Sequence, residues 1–248
     1  MEKLQQRSLN LAFILALLTP LTALMSGVGV RYELWHFKVG FGILKYSVFA
    51  ALLALVLTVI ALGAAYIAHQ KVFTKRAIYA LVVSLVVSMT PILYLAEFRK
   101  IPTLADATTD FDLPPSFIDV GPQREGKNPS DYLGEEAAEL QQHFFPELEG
   151  LVTGYTKKRL IGITEEVVTE MGMEIVASYP ELGRLEATAT SLWFGFKDDV
   201  VVRVLPYPGG NTVMDVRSAS RVGRLDGGVN AKRVQALLAR VQAKLPSR

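Results

Sequence analysis

Residues 199–220 read DVVVRVLPYPGGNTVMDVRSAS, two runs of alternating character on either side of a Pro- and Gly-rich centre. β-Branched residues at every second position suit a strand with one buried face, and Pro206-Tyr207-Pro208-Gly209-Gly210 has the composition of a hairpin connection. Taken as a five-residue loop, it sets Val200, Val202 and Val204 opposite Val216, Met214 and Thr212 on one face. Arg203, Asp215 and Arg217 then share the other face, as does Glu186 if the preceding hairpin pairs in step. Side chains alternate with a period of two. This assigns an apolar face to packing helices and a charged face (Glu186, Arg203, Asp215) to solvent or a ligand.

Working outward, Met173–Tyr179 and Arg184–Ser191 form a second strand pair around Pro180-Glu181-Leu182-Gly183. Before it, Leu160, Ile163, Val167 and Met171 recur at helical steps after Thr156, and Gly172 ends the pattern. A shorter helix is predicted over Tyr132–Phe144, capped by Ser130 or Asp131. Downstream, Val234, Leu237, Leu238, Val241 and Leu245 form one stripe of a helix that starts near Asn230. Helix, four strands and helix in that order predict an α+β domain over residues 131–248, with one antiparallel four-stranded sheet packed with two or three helices. Residues 97–130 are rich in Pro, Asp and Thr and lack a period, so they read as an extended linker that wraps the domain rather than hanging free.

The amino-terminal 96 residues are of another kind. Leu9–Val30, Tyr46–Ala68 and Ala77–Ala96 are uncharged apolar runs, each of about the 20 residues a helix needs to cross the hydrocarbon core. Three transmembrane helices are predicted, forming a membrane anchor over residues 1–96. This part holds eight Lys/Arg against two Asp/Glu, and residues 97–248 hold eighteen against twenty-two. The net charges of +6 and −4 combine to +2, so the basic character belongs to the membrane flanks and no nucleic-acid partner is expected. Lys3, Arg7, Lys71, Lys75 and Arg76 fall on one side of three crossings, against Arg31, Lys38, Arg99 and Lys100 on the other. Lys45, near the membrane edge, would even that count if it faces outward. The positive-inside rule thus favours an inner-membrane protein with its amino terminus inside and a periplasmic domain. The first run is longer than a signal-peptide core, and Ser26-Gly27 is a poor cleavage context, so the span is read as retained. The span interiors offer only hydroxyls such as Thr22, Thr58, Ser84 and Ser88, with Pro20 and Pro91. Transport chemistry needs ionisable groups there, so the spans read as an anchor.

Several chemistries fall away. There are no cysteines, and the three histidines, His36, His69 and His143, are scattered, so neither thiol catalysis nor a metal or other cofactor is expected. Gly121 to Asn128 has the glycine and lysine spacing of a P-loop, but Asn128 replaces the Mg²⁺-binding hydroxyl and Pro129 blocks the helix. Asp198-Asp199 is read as a solvated acid pair in a turn.

The dense region is Asp215–Arg233. From Arg217 to the end the chain has eight basic residues and only Asp226 against them. Arg217, Ser218, Ser220, Arg221, Arg224, Asp226, Asn230 and Arg233 surround a Gly-Gly turn that feeds a helix amino terminus. Guanidinium forks and free helix N–H groups suit a phosphate or carboxylate. The same residues also suit an internal network, with Asp226 or Asn230 as helix cap and the arginines paired to Glu186 and Asp215. The cluster is therefore read as anion-binding or structural.

The runs Arg184–Thr190, Trp193–Val200 and Asp215–Arg233, with Ile101–Pro115 upstream, resemble the bacterial family catalogued as domain of unknown function 1499. The resemblance covers about residues 101–245 and implies an envelope-associated domain with no assigned reaction. The family usually has Ser and Leu where Leu225 and Gly227 stand here, so a hydroxyl at 225 is not essential. Two functions follow. One is a non-enzymatic, membrane-held module that binds an anionic small molecule, a lipid head group or a membrane-protein partner. The other is a hydrolase or transferase acting on a phosphorylated or acidic substrate, with Ser218 or Ser220 as nucleophile, Lys232 or Asp226 as base and Arg217 and Arg221 stabilising charge. Strand alternation, however, sets both serines on the face opposite those arginines.

Overall fold

The computed structural model describes residues 2–68, 75–100, 104–124 and 128–246, with side chains from Gln6 onward. The Lys3 side chain, His69, Lys71, Ile101, Gly126, Lys127 and Arg248 lie outside the described residues. The chain divides into two compact units, one of Met1–Glu97 with Leu192–Gly195 and the other of Phe98–Ser191 with Phe196–Arg248.

The first unit is built on α1 (Glu2–Arg31), α2 (Phe37–Ile67) and α3 (Lys75–Phe98), each long and apolar enough to be a candidate membrane span. Small residues line their contacts. Ala12, Ala16 and Thr19 of α1, Ala51, Ala54, Thr58 and Ala61 of α2, and Ala80, Ser84 and Ser88 of α3 are all buried. Lipid chains are as apolar as leucine, so helices in a bilayer associate through such close backbone approach rather than by hiding large side chains. Two hydroxyls in this seam bond within their own helices, Thr58 to the Ala54 carbonyl at 2.8 Å and Ser88 to that of Ser84 at 2.7 Å.

The second unit is α+β. Its antiparallel sheet has six strands rather than the four expected: β1 (Asp106–Thr108), β2 (Leu151–Thr153), β3 (Glu174–Tyr179), β4 (Arg184–Thr190), β5 (Lys197–Tyr207) and β6 (Asn211–Ser220). The order is β1-β6-β5-β4-β3, and β2 pairs with the other half of the β6 edge. Both added strands are three residues long, too short for alternation to reveal. The β5–β6 register also differs. Val204 stands opposite Met214 and Val202 opposite Val216, two residues from the expected pairing. The strands run on through Pro206 and Tyr207, leaving a turn of Pro208-Gly209-Gly210, where both glycines have the positive φ that a tight reversal requires. A shift of two preserves the face assignment.

Accordingly Val200, Val202, Val204, Met214, Val216, Leu185 and Ala187 pack against α5 (Lys157–Glu170) and α6 (Val229–Lys244) in one core. Thr156 caps α5 through the Arg159 N–H. α4 (Glu135–Phe144) begins three residues later than expected, at Gly134 rather than at a side-chain cap. It has one decisive contact. The buried Gln141 amide accepts from the Thr108 N–H at 2.9 Å and donates to the Thr108 carbonyl at 2.7 Å. A side chain thus takes the place of a neighbouring strand at the exposed edge of β1.

Candidate functional site

The charged sheet face lies beneath the chain's own residues 104–124. Phe117 and Val120 of this strap pack on Val201 and Ala219, and around that apolar patch the strap and the sheet exchange charges. Asp106 receives a bidentate grip from Arg217, with Nε at 2.9 Å and Nη2 at 2.7 Å. Asp110 pairs with Arg203 at 2.7 Å, and Asp119 with Arg184 at 2.6 Å. Arg124 runs the other way, from strap to sheet. Its Nη1 reaches Asp199 at 2.8 Å, and its remaining bonds go to the carbonyls of Ala219, Pro129 and Ser220. Glu186 is fully buried, and its two oxygens accept the Ile118 and Val120 N–H groups at 2.9 Å each. The Phe117 ring lies between two guanidiniums, with Arg217 at 4.8 Å and Arg124 at 5.0 Å.

Asp199 is the hub of this network. The pair Asp198-Asp199 is not a solvated turn, because both residues sit in β5 and Asp199 is fully buried on the charged face. Its carboxylate accepts from Arg124, from Arg221 Nε at 2.9 Å and Nη2 at 2.8 Å, and from the Thr188 hydroxyl at 2.8 Å. Arg221 also donates to Gln123 Oε1 at 3.0 Å. Buried guanidiniums need such acceptors, since an unpaired charge in a low dielectric is costly.

Ser218, Ser220, Asp226, Asn230 and Arg233 of the 217–233 cluster form a second network on the helix side of β6. Ser218 Oγ donates to Asn230 Oδ1 at 2.7 Å and accepts from Arg233 Nη1 at 3.0 Å. Asn230 Nδ2 donates to Ser220 Oγ at 2.9 Å, and Arg233 Nη2 pairs with Asp198 at 2.7 Å. Asp226 accepts the N–H groups of Gly228 at 2.8 Å and Asn230 at 2.7 Å, neutralising orphan donors at the start of α6. Burial pushes the Asp226 carboxyl above its ordinary range, against the pull of these two bonds and aided by the Asp198 charge. Arg224 stands apart, exposed, as does Lys232. The chain therefore brings Arg217 and Arg221 to one side of β6, places Ser218, Ser220, Asn230 and Arg233 on the other, and leaves Arg224 outside both groups.

Sequence reasoning missed Asp106, Arg124, Thr188 and Asp199. The period-two reading of the run that begins at Asp199 already sets it on the face of Arg203, and reading Asp198-Asp199 as a solvated turn hid it. The strap residues carry no local signal, since Asp106 and Arg217 meet across 111 positions.

Beside the strap lies a cleft of about 490 Å³ whose lining includes Asp110, Asp112, Glu149, Tyr207, Val213 and Asp215. Burial also raises the Asp215 carboxyl, opposed by bonds from Thr109 and Arg203. Among the described residues no three His, Asp or Glu side chains converge as a metal site. No curated protein matches the chain. A family match is found over residues 106–241, which is more than half of the chain and spans strap, sheet and α6 alike. On that match the chain belongs to the family described as "Protein of unknown function (DUF1499)".

Proposed function

We propose that this protein is a membrane-anchored, non-catalytic envelope domain whose arginine cluster is an internal clamp, and that its surface recognises a protein partner rather than a free anion. One observation carries the reading. The buried guanidiniums of Arg124, Arg217 and Arg221 already hold carboxylates of the same chain, Asp199 and Asp106. An incoming phosphate would have to displace a bidentate, desolvated partner. The open cleft beside the strap is acidic and repels anions. The serine arrangement also supports a non-catalytic role, because Ser218 is buried and bonded to Asn230 and Arg233, while the Asp226 oxygens are taken by backbone N–H groups. A nucleophile needs a base within hydrogen-bond reach.

The five-to-four excess of basic residues favours placing the domain on the periplasmic side of a bacterial inner membrane. Alkaline phosphatase fused after Arg248 should then be active, and an inactive fusion would reverse the orientation. For the clamp, the full chain in detergent is titrated with inorganic phosphate and with anionic-lipid vesicles while its melting temperature is followed. No saturable change that depends on Arg221 is expected. Saturable stabilisation by either, abolished in Arg221→Ala, would make the cluster an anion site after all.

A further inference from the structure

Four residues between β4 and β5, Leu192–Gly195, belong to the membrane unit. The Trp193 indole Nε1 donates to the Leu24 carbonyl of α1 at 2.9 Å, and Arg31 Nη1 donates to the Leu192 carbonyl at 2.8 Å. Phe194 is buried and stacks on Phe41 of α2 with ring centroids 5.1 Å apart. Two glycines make room for this approach. A Cβ on Gly27 would overlap the Trp193 ring, and one on Gly40 would lie 3.3 Å from Phe194 and 2.6 Å from the Ser26 carbonyl. The spans are thus notched to receive the loop.

Depth follows from helix geometry. Arg31 is the first charge after the apolar run of α1. At a rise of 1.5 Å per residue, Gly27 and Leu24 lie about 6 Å and about 10 Å from it on the apolar side. Rings with one polar atom concentrate at that level, the boundary between head groups and acyl chains. Trp193 is 38 % exposed at that level, where α1 also exposes Leu21 and Leu24, and Leu192, whose carbonyl the Arg31 guanidinium holds, is 90 % exposed. A leucine that bare, fixed beside a membrane span through its own carbonyl, is what insertion into lipid requires.

We propose that Leu192 and Trp193 form a bilayer-inserting tip, with the lipid of the membrane that holds the spans as its partner. Trp193 acts as the polar hinge of the tip and Leu192 as its apolar point. The proposal rests on the spans residing in the bilayer, and the test separates the two claims. The chain has no cysteine, so Leu192→Cys and Leu53→Cys each take one spin label in the full-length protein in lipid nanodiscs. Leu53 is an exposed residue in the middle of α2. At both positions, collision with oxygen should exceed collision with a water-soluble nickel chelate. Nickel dominance at 192 with oxygen dominance at 53 overturns the tip alone, and nickel dominance at both overturns tip and spans together. Shielding from both reagents at 192 means that protein covers the loop, and it too overturns the proposal. The chain has two tryptophans, so Trp35→Phe leaves Trp193 as the only one, excited selectively beyond the tyrosine band. Brominated lipid should quench it several-fold more than aqueous iodide, and the reverse order would refute insertion.

Discussion

Asp199→Ala tests whether the buried charges form one interdependent network. The side chain has no solvent exposure, and Arg124 and Arg221, which it neutralises, are 2 % and 4 % exposed. Removing it strands two guanidiniums that water cannot reach without opening the strap. Deleting one partner of a buried pair typically costs about 3–5 kcal/mol, and because both arginines share a single carboxylate the two losses do not simply add. At about 2–4 °C per kcal/mol for a domain of this size, the melting temperature should fall by roughly 6–20 °C. Asp198→Ala is the matched control one residue away. Its partner is Arg233, and both side chains are 14 % exposed, so water screens the loss. A cost of about 1 kcal/mol, or a few degrees, is expected there. Melting is followed by near-ultraviolet circular dichroism on the full chain in detergent. If Asp199→Ala melts no lower than Asp198→Ala, the charges are not a desolvated network and the reasoning fails.

Two further perturbations address other parts of the clamp. Glu186→Gln turns an amide donor toward one of two backbone N–H groups, at a cost of about 1–3 kcal/mol. The Ile118 and Val120 amides should exchange hydrogen faster in this variant while the α5 amides do not change, and unchanged exchange would remove Glu186 from the clamp. Asp226 and Asp215 carry carboxyls raised by burial from the ordinary 3.8, so the folded state holds their protons more tightly than the unfolded chain does. The stability they contribute is therefore complete below the unfolded value and is lost as pH rises through the raised one. The melting temperature of Asp226→Asn relative to the parent should move in the variant's favour from about pH 4 to about pH 7, and movement the other way would show a depressed carboxyl.

The fold was legible wherever a local period carries it. Val200, Val202 and Val204 announced a core face, Thr156 and Gly172 bounded α5, and the apolar runs marked three candidate spans. Register was less legible, because Pro-Tyr-Pro-Gly-Gly is compatible with loops of different length and only the geometry of Gly209 and Gly210 selects the shorter. The strap was the least legible part. Asp106, Asp119 and Arg124 sit in a segment without period, and their meaning comes from Arg217, Arg184 and Asp199, at least 65 positions away. The arginine-rich run was conspicuous for the same reason that it misleads. A sequence shows a cluster of donors but not the acceptors that folding brings to it.

A double-mutant cycle on Asp106 and Arg217 asks most directly whether the arginines serve the chain's own carboxylates. The pair is bidentate, and both side chains are at most 5 % exposed. Asp106→Ala, Arg217→Ala and the double variant are unfolded with urea in detergent. Each single change should cost about 3–5 kcal/mol, and the double should cost less than their sum by about 1–3 kcal/mol, since removing the second partner relieves a stranded charge. Additive losses, with coupling below about 0.5 kcal/mol, would mean that Arg217 does not depend on Asp106 and would contradict the internal clamp.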